Sequence, residues 1–218
     1  MLRKRALATA PFFIAPQAPP LRLFALLALA MLAFAANSVL NRMAVGAGHI
    51  DALGFAAVRV IAGVVTLAAL MQARGTAWPG LKGRLPGVLG LTTYLLGFSL
   101  AYQSLDAGAG ALILFGCVQL TMFAGALFYR EAVPTTRWMG AAVAFGGLVL
   151  LLWPGAGAAN SLPHALLMVG AGIGWGVYSL AGRGQPNALA ATAANFLGSV
   201  PLVAGLWLLM GDGGAHPF

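Results

Sequence analysis

The chain has 218 residues, 61% of them hydrophobic and 7% charged, with 12 Lys and Arg against 4 Asp and Glu for a formal net charge of +8. A soluble domain carries roughly a quarter charged residues, so this composition excludes a water-soluble core and points to a lipid bilayer as the solvent. The positive charge is scattered in short connections and forms no basic stripe with interleaved aromatics, which argues against a nucleic-acid partner.

Residues 1–22 open with Arg3, Lys4 and Arg5. The apolar part that follows is short and broken by Pro11 and Pro16, so it reads as a basic cytoplasmic tail, with a cleaved signal peptide as the alternative. Spanning helices need about 20 mostly apolar residues, and seven such stretches follow: Leu23–Leu40, Ala52–Met71, Leu85–Leu105, Ala107–Phe128, Trp138–Trp153, Ala165–Ala181 and Ala188–Met210. Gly46, Gly48, Pro79, Gly80, Pro134, Pro154, Gly155, Pro163 and Pro186 punctuate the breaks. The expected fold class is all-α, a polytopic membrane helix bundle of about seven transmembrane helices.

Lys and Arg in short loops stay on the cytoplasmic side. Arg3, Lys4, Arg5 and Arg22 precede the first span; Arg74, Lys82 and Arg84 follow the second; Arg130 and Arg137 follow the fourth; Arg183 follows the sixth. These fall on one face, so the N-terminus is expected inside and residue 218 outside. Arg42, at the end of the first span, and Arg59, inside the second, are the exceptions.

The sixth span resembles the first, with Phe34, Ala35, Ser38 and Arg42 opposite Trp175, Gly176, Ser179 and Arg183. The seventh resembles the second, with Asp51-Ala52-Leu53 opposite Asn187-Ala188-Leu189. A five-helix unit explains both matches, and an odd unit inverts its second copy across the membrane, in agreement with the charge map. Residues 23–153 then form the first repeat and residues 163–218 the start of a second, which is expected to lack three spans.

Charges at membrane depth cost about 2.5–3.5 kcal/mol on insertion scales and so invite a functional question. Arg59 lies about 12 Å along its helix from Asp51. It either holds an anionic group in a central path or snorkels to the outer headgroups, and both readings are open. Asn37 and Asn41 share a helical face, with Ser38 adjacent and Arg42 at its end, a stripe that lines a substrate path or bonds neighbouring helices. Tyr94, Tyr102, Gln103, Gln119, Trp175, Tyr178 and Asn195 are weaker candidates of the same kind. Asp51 and Asp106 start helices and are expected to cap them, with proton coupling through Asp106 a minor alternative.

His49, His164 and His216 stand in separate loops without a second ligand at zinc spacing, and Cys117 is the only cysteine, so neither a metal nor a cofactor is expected. No nucleophile elbow, phosphate loop or dinucleotide fingerprint occurs.

The layout resembles the drug/metabolite transporter superfamily, in particular its EamA-like members. The residues that carry the resemblance are Ala57-Val58-Arg59 with Ala62-Gly63, the join Phe128-Tyr129-Arg130-Glu131-Ala132-Val133-Pro134, Trp138-Met139-Gly140-Ala141, the pair Gly146-Gly147, and Gly174-Trp175-Gly176-Val177-Tyr178-Ser179. Arg130 departs from the pattern, which more often has a small residue before the glutamate. The resemblance implies ten spans in two inverted repeats and secondary transport of small metabolites or drugs, often export, across the bacterial inner membrane. Two other classes remain: an inactive or partner-dependent truncated membrane protein, completed by a second chain or by dimerisation, and an intramembrane enzyme, for which no polar catalytic cluster is visible.

Overall fold

The computed structural model describes residues 21–78, 80–152 and 162–210. They form seven α-helices: α1 (Leu21–Gly46), α2 (Ala52–Ala73), α3 (Leu85–Ala101), α4 (Ala107–Phe128), α5 (Thr135–Leu152), α6 (Leu162–Gly182) and α7 (Ala188–Met210). No strand occurs among the described residues, and the all-helical expectation holds. By length and composition α1, α2, α4, α6 and α7 can each cross a membrane, and α3 is an apolar helix of 17 residues. Most of the basic tail, Pro79, the α5–α6 connection with Trp153 and Pro154, and the residues after Met210 lie outside the described residues.

Two boundaries differ most from the sequence reading. The first helix runs six residues beyond Leu40, because Asn41 and Arg42 are accommodated inside it. The third ends at Ala101 instead of Leu105, so Tyr102 and Gln103 stand in the turn that reverses the chain toward Asp106. The helix starts follow local chemistry. Asp51 is extended at the N-cap of α2 and accepts from the Gly54 amide at 2.8 Å, and Asn187 does the same for Ala190 at 3.0 Å ahead of α7. Asp106 holds the N-cap position of α4 without a side-chain cap bond.

Two units are distinguished along the chain, divided at Ala35. The described part of the first is residues 21–35, a helical stretch whose only charged side chain is Arg22. The second, from Ala36 onward, is the bundle. There α3 is central and packs against α2, α6 and α7; α6 also lies on α4, and α5 rests on α4. The α3–α6 crossing is a backbone-to-backbone contact. A Cβ on Gly90 would lie 2.7 Å from the Gly174 carbonyl oxygen, and one on Gly174 would lie 2.6 Å from the Gly90 oxygen, so only glycine fits either position. Around this crossing Leu91, Tyr94, Leu95, Phe98, Met168 and Ala171 are buried. On α5, by contrast, Val143, Phe145 and Leu150 are exposed, as suits a lipid-facing helix.

The bundle's loops sort by charge. At one end Glu131 and Arg183 form a 3.0 Å ion pair, and the same end carries Arg74, Lys82, Arg84, Arg130 and Arg137. At the opposite end Arg42 Nη1 donates to the carbonyls of Tyr102 and Gln103, each at 3.0 Å, and Ser104 meets His164.

Candidate functional site

Polar groups in a bundle this apolar are few, and the fold gathers several of them near Arg59. Its guanidinium donates from Nη1 to Ser99 Oγ (3.3 Å) and from Nη2 to Tyr94 OH (3.1 Å) and Asn37 Oδ1 (3.4 Å). Asn37 Nδ2 also donates to Tyr94 OH at 3.1 Å, so α1, α2 and α3 are tied together through neutral groups. The cation lies over two rings, 4.9 Å from the Phe98 centroid and 5.4 Å from that of Tyr94. Such contacts strengthen when desolvated. Arg59 is half-buried, and no carboxylate among the described residues pairs with it: Asp51 caps α2, Asp106 sits at the start of α4, and Glu131 holds Arg183.

From this cluster an aromatic ladder crosses the bundle. Tyr94 contacts Trp175 of α6 at a centroid distance of 4.7 Å, Trp175 contacts Tyr178 at 5.2 Å, and Tyr178 OH donates to Thr192 Oγ1 of α7 at 3.2 Å. Toward the other side Tyr94 leads to Phe98 (5.1 Å) and Phe98 to Tyr102 (4.8 Å). The i, i+4 spacing of Tyr94, Phe98 and Tyr102 stacks them on one face of α3 and its first turn beyond.

Of the residues expected to matter, Asn37, Arg59, Tyr94, Trp175 and Tyr178 are therefore connected. Asn41 is fully buried with both amide atoms unpartnered, and the Oδ1 of buried Asn195 is unpartnered too. Neither joins the Arg59 network. Arg42 satisfies carbonyls at the C-terminal end of α3, where a cation opposes the helix dipole. Gln103 is exposed in the turn there. Gln119 lines a separate cavity of about 480 Å³ toward the basic end, with Thr136, Arg137 and Arg183. Ser99, Phe98 and Thr192 were not singled out in the sequence. The aromatic stripe on α3 was legible from spacing, whereas Ser99 and Thr192 acquire their roles only from neighbouring helices. Among the described residues no group of His, Cys, Asp and Glu could hold a metal ion.

An all-helical bundle with lipid-suited outer faces, a charge-sorted pair of ends and an internal polar cluster is a multi-pass membrane protein. Residues 22–153 match the EamA-like transporter family, and the chain belongs to that family. It is 43% identical over 190 residues to an uncharacterized protein of Pseudomonas aeruginosa, covering 87% of this chain and 66% of that relative. The chain thus spans just under two thirds of the relative's length. No solved structure matches.

Proposed function

We propose that this chain is a unit of a secondary transporter that exports a small metabolite or drug across the inner membrane along a path past Arg59. The observation that carries the reading is the Asn37–Arg59–Tyr94–Ser99 cluster, in which three helices converge polar groups inside a hydrophobic bundle. A purely structural cation is commonly paired with an acid, and none of the described acids pairs with Arg59.

In this reading the N-terminus is cytoplasmic, since the basic end of the bundle is the one retained there. Residues 23–153 are one repeat and residues 163–218 open an inverted second one. The matching caps at Asp51 and Asn187 support this pairing, as does the packing of α2 against α7 with their N-termini at opposite ends.

The test compares solutes released by cells that express the chain, the Arg59→Ala variant, or neither. Transport predicts a solute that appears outside chemically unchanged with the chain alone, while the variant inserts but releases none. A chemically altered product would instead indicate an enzyme, and identical release from all three cultures would remove the transport reading.

A further inference from the structure

Resting on the transport reading, we infer that the solute held at Arg59 is a net organic anion with a flat apolar body, and that the site discriminates against zwitterions and cations. Three features carry this. First, no acid among the described residues compensates the positive charge of Arg59: its partners are a phenol, a hydroxyl and an amide oxygen. A neutral acceptor replaces water's hydrogen bonds but leaves the charge, which a low-dielectric interior leaves available to an incoming anion.

Second, the guanidinium is not saturated. Arginine has five N–H donors, and three are used in these bonds, leaving Nε–H and one hydrogen on Nη1. Nε has no partner and is not among the fully buried polar atoms, so that edge of the guanidinium has accessible surface. A carboxylate, sulfonate or phosphate oxygen is the complementary acceptor.

Third, the surroundings lack the counterpart an amine would need. The described acids lie elsewhere, as set out above, so nothing offsets the desolvation of an ammonium brought beside Arg59, and like charge repels it. What the surroundings supply is aromatic surface: Tyr94 and Phe98 are buried against the guanidinium, and half-buried Trp175 and Tyr178 continue from Tyr94. Rings of this kind favour a planar apolar body through offset or edge-on contact.

The experiment holds the ring constant and changes the charge. The full chain in nanodiscs of neutral phosphatidylcholine is titrated calorimetrically with phenylacetate, phenylalanine and phenethylamine, and the Arg59→Gln, Arg59→Lys and Trp175→Ala variants are titrated with phenylacetate. Phenylacetate is expected to bind at least about tenfold more tightly than the other two, to lose about tenfold or more in Arg59→Gln, and to lose less in Arg59→Lys, as removal of a charge-assisted bond implies. Trp175→Ala is expected to weaken phenylacetate while leaving its preference over phenethylamine. Equal or tighter binding of phenethylamine or phenylalanine would overturn the inference, as would undiminished binding in a folded Arg59→Gln or no saturable phenylacetate binding. If Arg59→Gln fails to fold, the wild-type selectivity and Arg59→Lys still decide. Phenylacetate bound but never moved across the bilayer would end the transport reading and leave this site standing. Movement of a cation or zwitterion would do the reverse.

Discussion

The α3–α6 crossing can be tested with one chemical change made at two places. In Gly174→Ala the new Cβ meets the Gly90 oxygen at 2.6 Å, the Tyr94 amide nitrogen at 2.9 Å and the Thr93 Cβ at 3.0 Å. The first two are backbone atoms, so no rotamer change relieves them, and the helices must separate by roughly 0.9 Å to reach ordinary contact near 3.5 Å. Overpacking of this kind costs about 1–3 kcal/mol. Alanine in place of glycine inside a helix returns about 0.5–1 kcal/mol, so the net expectation is a loss of about 1–2 kcal/mol. Gly146 in α5 has nothing within 4 Å of a built Cβ, and Gly146→Ala should therefore only gain, by about 0.5–1 kcal/mol. The two variants should differ by about 2 kcal/mol, or roughly thirtyfold in the unfolding equilibrium. Unfolding in mixed micelles by increasing dodecyl sulfate, followed by circular dichroism, measures this directly. Gly174→Ala as stable as Gly146→Ala would refute the backbone contact. The separation also pulls Trp175 from Tyr94, so Gly174→Ala should weaken any ligand of the aromatic surface as well.

Arg130 has a φ of 55°, the left-handed region, immediately after α4. Glycine adopts this at the end of a helix without the Cβ penalty, so Arg130→Gly should stabilise by about 1 kcal/mol in the same titration; a loss would mean that the side chain makes a compensating contact. Asn41 is buried with neither amide atom partnered, and replacing an unsatisfied amide by a similar apolar volume removes a desolvation cost of about 1–3 kcal/mol. Asn41→Leu should therefore raise the unfolding midpoint, and a marked fall would reveal a partner for the amide.

How far the sequence could be read depended on whether a residue's role is decided within its own helix. The boundaries of α4 and α7 were legible to the residue, because Asp106, Pro134 and Asn187 mark them locally. The end of α1 was not, since Asn41 and Arg42 look like a polar terminus, yet Arg42 turns its charge onto the Tyr102 and Gln103 carbonyls just past α3 and lets the helix continue. The same distinction separates the site residues. Arg59 stands out by its burial cost alone, and Asn37 by its stripe on α1. Gln119, equally polar and equally central in its span, belongs to a different cavity because α4 faces α5 and α6 there. Ser99 was invisible for the opposite reason: a serine in an apolar helix is common, and only the approach of α2 places its hydroxyl at Arg59.

The glycines connect these two levels. Gly90 and Gly174 look in the sequence like generic small residues of membrane helices, but their positions set how closely α3 meets α6. That closeness is what places Trp175 against Tyr94 at 4.7 Å, and Tyr94 in turn bonds both Arg59 and Asn37. A cation that no described acid neutralises is thus held in place by neutral partners whose position depends on a glycine contact at the α3–α6 crossing. Arg59 thus sits among neutral partners with part of its edge accessible, an arrangement that costs stability in an apolar bundle and that the anion proposed above would offset.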